Sequence, residues 1–292
     1  MRLDHRIAAL IGAAMLSGCN EGVLDPKGPV AAAERLILFN SLGIMLAIVI
    51  PTIVATLGVA FWFRSSNRRA RYRPNFAYSG RLELLVWSIP TMTVLLVGGV
   101  AWIGSHDLDP RGPIASPARR VSVQVVSLDW KWLFIYPQFG VASVNHLTIP
   151  VNTPVSFELT SSGVMNSFFV PQLGGQIYTM AGMATHLNVQ ADHTGTYRGL
   201  SAQYSGSGFS DMRFAVAAVP TQDFDNWVAA ARSDGPALDA QAYADLVKPS
   251  GPVVPFTYRA VASGLFNSIL GAVMHPGDPS AHTNHQSQRA ER

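Results

Sequence analysis

Residues 199–212, GLSAQYSGSGFSDM, carry a spacing that bears directly on metal chemistry. Ser201, Gln203, Ser205, Phe209 and Met212 fall at the positions of a C-x-E-x-C-x3-H-x2-M loop. Such a loop would hold copper through two thiolates, an imidazole, a thioether and one backbone carbonyl. Here hydroxyls stand for the thiolates, an amide for the carboxylate and a phenyl ring for the imidazole. Neutral hydroxyls are poor ligands for a soft metal, and a phenyl ring has no lone pair to give. Met212 alone keeps a donor suited to copper, so the loop is expected to bind no metal.

Other groups could do chemistry elsewhere. Glu83 opens an apolar run just after a basic stretch. As a carboxylate at a span mouth it either snorkels to water, pairing with Arg81, or collects protons for a pathway. Cys19, the only cysteine, rules out an intrachain disulfide framework and any cysteine-rich site. His146, His186 and His193 have no partner at helical spacing and are expected on the surface rather than on a metal. The run 129–136, DWKWLFIY, is the densest aromatic cluster and reads as a core anchor.

The elements that must position these groups begin with membrane segments. Apolar residues make up 48% and charged residues 13%, against about 25% charge in soluble domains. A net charge of +3, without basic residues interleaved with aromatics, argues against nucleic acid. Residues 1–18 join a short basic start to a brief apolar run, the pattern of an export signal. They lead into Leu16, Ser17, Gly18 and Cys19, which resemble a lipobox in which Cys19 is acylated. Residues 19–35 then form a short outer segment. Residues 36–63 contain no charge and make about 42 Å of helix, enough to span a ~30 Å core. Pro51 is expected to kink this span. A second span covers 83–104, with Trp87 and Trp102 near its ends. Between them, loop 64–82 carries Arg64, Arg68, Arg69, Arg71, Arg73 and Arg81 and no acid, which places it in the cytoplasm.

From 119 to 220 the periodicity becomes strand-like. Residues 121–126, 146–149, 155–159, 186–189 and 213–217 alternate apolar and polar between glycine and proline breaks. The pattern predicts an antiparallel β-sandwich. Residues 221–274 are read as a helical region, with helices over 221–248 and a second short one from Asp239. Residues 261–274 are too interrupted for a span. Residues 275–292, with His275, His282 and His285, read as a polar, disordered tail. The fold class is α+β: a two-helix transmembrane hairpin, a sandwich and a helical C-terminal segment.

Taken together, the lipobox, the basic inner loop, 83–90 (ELLVWSIP), the DWKW run, 164–171 (VMNSFFVP), 176–183 (QIYTMAGM) and 199–212 resemble subunit II of the haem–copper terminal oxidases. They look most like the cytochrome bo-type ubiquinol-oxidising branch. The resemblance covers nearly the whole mature chain and implies a cupredoxin-like outer domain. In the cytochrome c-oxidising branch that domain holds a two-copper centre. Matched to it, the first histidine falls on Asn166, the cysteines on Ser201 and Ser205, and the glutamate on Gln203. The second histidine falls on Phe209 and the methionine on Met212. The resemblance implies a non-metallated subunit of a proton-pumping quinol oxidase in the bacterial inner membrane. Its partners would be the haem–copper subunit I, other oxidase subunits, membrane lipid and, through the complex, ubiquinol. Haems and one copper would belong to subunit I. It also places Glu83 at the entrance of a proton channel. A lipid-anchored periplasmic scaffold or binding protein on the same fold is the alternative, and a copper-binding cytochrome c oxidase subunit is a third reading.

Overall fold

The computed structural model describes residues 22–71 and 74–274. The signal, Cys19, Arg73 and the tail from His275 lie outside the described residues. Contacts divide the chain into two units, one of residues 33–109 and one formed by the segments on either side.

The first unit is a pair of helices, α1 (Pro29–Trp62) and α2 (Gly80–Asp107). Proline at the first helical position costs no hydrogen bond, because that amide lacks an intrahelical partner anyway. The helix therefore starts seven residues before the charge-free run, through alanines that favour it. It continues through Pro51. The hydroxyls of Thr52 and Thr56 donate to the carbonyls of Ile48 and Thr52, so their polar groups are satisfied inside the helix. The apolar windows of both helices are wholly unburied; Leu57 is 65% exposed and Leu95 71%. A soluble core helix would bury such side chains, whereas a membrane span offers them to lipid. Near the C-terminal end of α2, a Cβ on Gly104 would stand 2.6 Å from Ile37 Cδ1, so glycine lets the helices approach there.

The second unit is a sandwich. Its first ten strands are β1 (Val121–Leu128), β2 (Lys131–Tyr136), β3 (Val141–Val144), β4 (His146–Pro150), β5 (Val155–Ser161), β6 (Asn166–Phe169), β7 (Gln176–Thr179), β8 (Thr185–Val189), β9 (Gly195–Ser201) and β10 (Arg213–Val219). Three short strands follow: β11 (Ala237–Leu238), β12 (Phe256–Tyr258) and β13 (Ala260–Val261). One sheet has the order β12-β3-β2-β1-β5-β8 and the other β4-β10-β9-β6-β7. All five alternating segments read from the sequence lie in strands. The sandwich is mixed rather than wholly antiparallel, since β1–β5 and β4–β10 pair in parallel. Alternation reports which face is buried and carries no strand direction.

The chain changes sheets at a single residue between β3 and β4. Asn145 has φ 54°, a left-handed conformation that asparagine tolerates better than most residues. Its Oδ1 accepts from the Trp132 amide at 2.9 Å and its Nδ2 donates to the Val253 carbonyl at 3.0 Å. Inward from β2, Trp132, Phe134 and Tyr136 enter a core with Phe157, Phe168 and Phe214. Outward, Leu133 and Ile135 pack with Leu238, Leu246, Tyr258, Phe266 and Ile269 from the C-terminal region. Every residue of β2 is therefore buried.

That covering region differs from a run of helices. It contains α3 (Thr221–Ser233), α4 (Ala240–Val247) and α5 (Leu265–Met274), interleaved with β11, β12 and β13. Within 221–248, α3 and the second short helix expected from Asp239 are separated at Gly235, φ 104°, where a Cβ would also meet the Thr257 carbonyl at 2.7 Å. Asp239 caps α4 by accepting from the Ala242 amide at 2.8 Å. Lys131, buried on the covered face of β2, donates to the Lys248 carbonyl at 2.9 Å and to Ser250 Oγ at 2.7 Å. A cation there suits the carbonyl end of α4, and burial pushes its pKa down.

His146 on β4 is half-buried, and burial lowers its pKa below the ordinary 6.5. The folded chain then holds this proton more weakly than the unfolded chain. Its contribution is fully present above pH 6.5 and is lost as pH falls through the lowered folded value. In pH-dependent thermal unfolding, His146→Gln should lose less stability than the wild type on acidification below that point; parallel curves would contradict this assignment.

Candidate functional site

The loop 202–212 is a closed return between β9 and β10. The Ser201 amide donates to the Met212 carbonyl at 3.1 Å, and Leu200 pairs with Arg213 one step further along. On its other side, Ser201 pairs with Phe168 of β6, and the Ala202 amide donates to the Ser167 carbonyl at 2.9 Å. Strand pairing thus brings Asn166, Ser201 and Met212 to one end of the sandwich.

Their polar atoms bond to one another. Ser201 Oγ lies 3.1 Å from Asn166 Oδ1 and 3.2 Å from the Gln203 carbonyl, so its one proton is shared between two acceptors. Asn166 Nδ2 donates to the Val164 carbonyl at 3.1 Å. Ser205 Oγ donates weakly to Met212 Sδ at 3.9 Å. Asn166, Ser201, Ser205 and Met212 are all buried. Phe209 begins a short 3-10 turn and packs its ring edge-on to Tyr204, centroids 5.7 Å apart. Gln203 contributes its backbone carbonyl, the group a copper loop would use at that position.

Trp130 completes the arrangement. Its Nε1 donates to the Ser205 carbonyl at 3.1 Å, and its ring lies over Gly206 and Gly208. Sequence reading grouped Trp130 with Trp132 as core, yet only Trp132 is fully buried. Trp130 lies in the turn before β2 and Trp132 inside the strand, and the paired glycines at 206 and 208 are the sequence signal for an aromatic lid.

Chemically, the site offers hydroxyls, one amide and one thioether, with the hydroxyl protons already committed. Two bridging thiolates and two imidazoles are what a dinuclear copper centre needs, and these residues do not fit one. Among the described residues, no three His, Cys, Asp or Glu side chains gather.

Glu83 belongs to the helical unit. It sits exposed in the first turn of α2, where the helix dipole favours a carboxylate. Ion pairs among the described residues join Lys27 to Asp25 and Lys248 to Asp245, and Arg81 does not pair with Glu83. Residues two apart on a helix do not face each other.

Residues 137–219 match the family model for the periplasmic domain of cytochrome c oxidase subunit II, and residues 232–277 match the COX aromatic rich motif. Sandwich and site together define an oxidase subunit II with a cupredoxin-like domain. Cytochrome bo(3) ubiquinol oxidase subunit 2 of Pseudomonas aeruginosa is 44% identical over 285 residues, 97% of this chain and 86% of that protein. Ubiquinol oxidase subunit 2 of Acetobacter aceti is 46% identical over 268 residues, 91% of this chain and 87% of its own. Among solved structures, the periplasmic domain of subunit II of cytochrome oxidase of Bradyrhizobium japonicum is 23% identical, with TM-score 0.38, over 41% of this chain and 98% of that one. This chain belongs to the ubiquinol oxidase subunit 2 family.

A Cβ on Gly208 would stand 2.3 Å from Trp130 Cδ2. Gly208→Ala should displace the indole and cost about 1–3 kcal/mol, seen as a lower unfolding midpoint. The neighbouring exposed Ser207→Ala should change it little. Equal midpoints for the two variants would show that Trp130 does not hold the loop.

Proposed function

We propose that this chain is the metal-free second subunit of a proton-pumping quinol oxidase, the complex that oxidises quinol and reduces oxygen to water. The observation that carries the reading is the loop itself. Where a copper-dependent electron acceptor needs thiolates and imidazoles, Ser201, Ser205, Asn166 and Phe209 supply hydroxyls, an amide and a phenyl ring. Electrons then have no relay in the outer domain and pass from membrane quinol directly to a partner. That partner is the haem–copper subunit I, which carries the haems and the copper of the oxygen site. The work of this chain is assembly: docking on subunit I and supporting proton uptake.

Two further assignments belong to this reading. Glu83, exposed at the first turn of α2 and without an ion-pair partner among the described residues, collects protons at the inner mouth of a pathway into subunit I. Cys19 carries the lipid that holds the mature N-terminus at the outer face of the bacterial inner membrane, a role supported by the Leu16, Ser17, Gly18, Cys19 sequence. The sandwich lies on the periplasmic side and the arginine loop in the cytoplasm.

Oxygen uptake by the purified complex should be supported by ubiquinol and not by reduced cytochrome c; the reverse preference would overturn the proposal. Glu83→Ala should slow quinol-driven turnover at unchanged haem content, with partial recovery in Glu83→Asp, and unaltered turnover would leave Glu83 a solvated carboxylate. Met212→Leu should leave turnover near normal, because the thioether serves packing rather than electron transfer.

A further inference from the structure

The loop between α1 and α2 carries a concentration of charge that no other described residue pairs with. Arg64, Arg68, Arg69, Arg71 and Arg81 are all exposed. Glu83 is the sole acidic residue from 36 to 106, and none of these arginines forms an ion pair among the described residues. Among the described residues nothing supplies their counter-charge.

Local structure aims them at the membrane surface. Asn67 Nδ2 donates to the Trp62 carbonyl at 2.6 Å, closing the end of α1. The Asn67 amide returns to the Arg64 carbonyl at 3.0 Å, and the Arg69 amide donates to Asn67 Oδ1 at 3.1 Å. These bonds fold the chain tightly at the helix end, so Arg68 and Arg69 cannot extend far from it. The Arg64 guanidinium lies 4.3 Å over the Phe61 ring, one turn back along α1. Phe61 is itself 66% exposed on a helix whose flank is apolar. A guanidinium held against a ring of the span sits at headgroup depth. Phe63 next in the chain, and Phe76 and Tyr78 just before α2, are likewise exposed, the aromatic residues expected where a chain meets the bilayer interface.

We propose that this arginine loop is a binding site for the phosphodiester headgroups of anionic phospholipids in the leaflet it faces. The planar guanidinium fork matches two oxygens of one phosphate, and a basic cluster directly beside a span is where anionic lipid accumulates. The inference rests on α1 and α2 being membrane spans and is independent of which donor the oxidase uses.

The test uses the intact purified complex in bilayer discs of phosphatidylcholine mixed with phosphatidylglycerol, reading by mass spectrometry the lipid retained after a detergent wash. The wild type should retain phosphatidylglycerol above its bulk share, and excess inorganic phosphate should not displace it. Combining Arg68→Gln, Arg69→Gln and Arg71→Gln should weaken that retention roughly tenfold or more, while haem content and subunit composition hold. The corresponding lysine substitutions should keep most of it. No enrichment in the wild type, or full enrichment in the glutamine variant, overturns the proposal. So does loss of another subunit in place of lipid, which would make the loop a protein contact. Should the glutamine variant insert poorly, salt titration of the wild type decides, since headgroup binding must weaken as ionic strength rises and salt-insensitive retention contradicts it.

Discussion

Phe168 and Phe214 stack with centroids 5.2 Å apart, and Trp132 lies 5.5 Å from each. This cluster governs the outer domain because each ring is two residues from a site residue. Asn166 precedes Phe168, Met212 precedes Phe214 and Trp130 precedes Trp132. Where a strand is regular, residues two apart share a face, so burying the ring draws its neighbour towards the same end of the core. Gly199 shows how tightly the cluster closes: a Cβ there would stand 2.1 Å from the Phe214 ring. Aromatic pairs contribute about 0.5–1.5 kcal/mol each beyond their buried area. The loop is thereby held in place from below.

On that base the polar groups of the loop have been settled among themselves. A buried hydroxyl or amide without a partner costs about 1–3 kcal/mol. Ser201, Asn166 and Ser205 avoid most of that cost: Ser201 bonds to Asn166 and the Gln203 carbonyl, Asn166 to the Val164 carbonyl and Ser205 to Met212. The backbone return from Ser201 to Met212 holds the frame. The copper-loop spacing persists because the spacing is also that of the turn joining β9 to β10. A fold element and a ligand set can therefore share one sequence pattern, and only side-chain chemistry separates them.

How much of this was legible depended on whether one face or two were buried. β1, β5 and β10 alternate because one side is less covered, and their positions followed from the sequence. β2 does not alternate, since the C-terminal region covers Leu133 and Ile135 while the core takes Trp132 and Phe134; it read as an aromatic cluster without a strand. The parallel pairings were invisible, because hydrophobic periodicity has no direction. The two- and three-residue strands β11, β12 and β13 are too short to show a period. At the site, residue types alone carry the expectation that copper does not bind. The lid formed by Trp130 was hidden, because it depends on a contact across 75 residues of chain.

The helical unit contributes the other half of the account. Its apolar flanks are unburied, and Arg64, Arg68, Arg69, Arg71 and Arg81 form no ion pair among the described residues, so the chain reads as a component that finishes its structure against lipid and other oxidase subunits. Whether the outer domain is organised without metal can be measured directly, by copper analysis of the purified chain together with thermal unfolding in the presence of added copper or a chelator. The account predicts no stoichiometric copper and an unfolding midpoint that neither addition moves. Two coppers per chain, with a midpoint that rises on metal and falls on chelation, would contradict it.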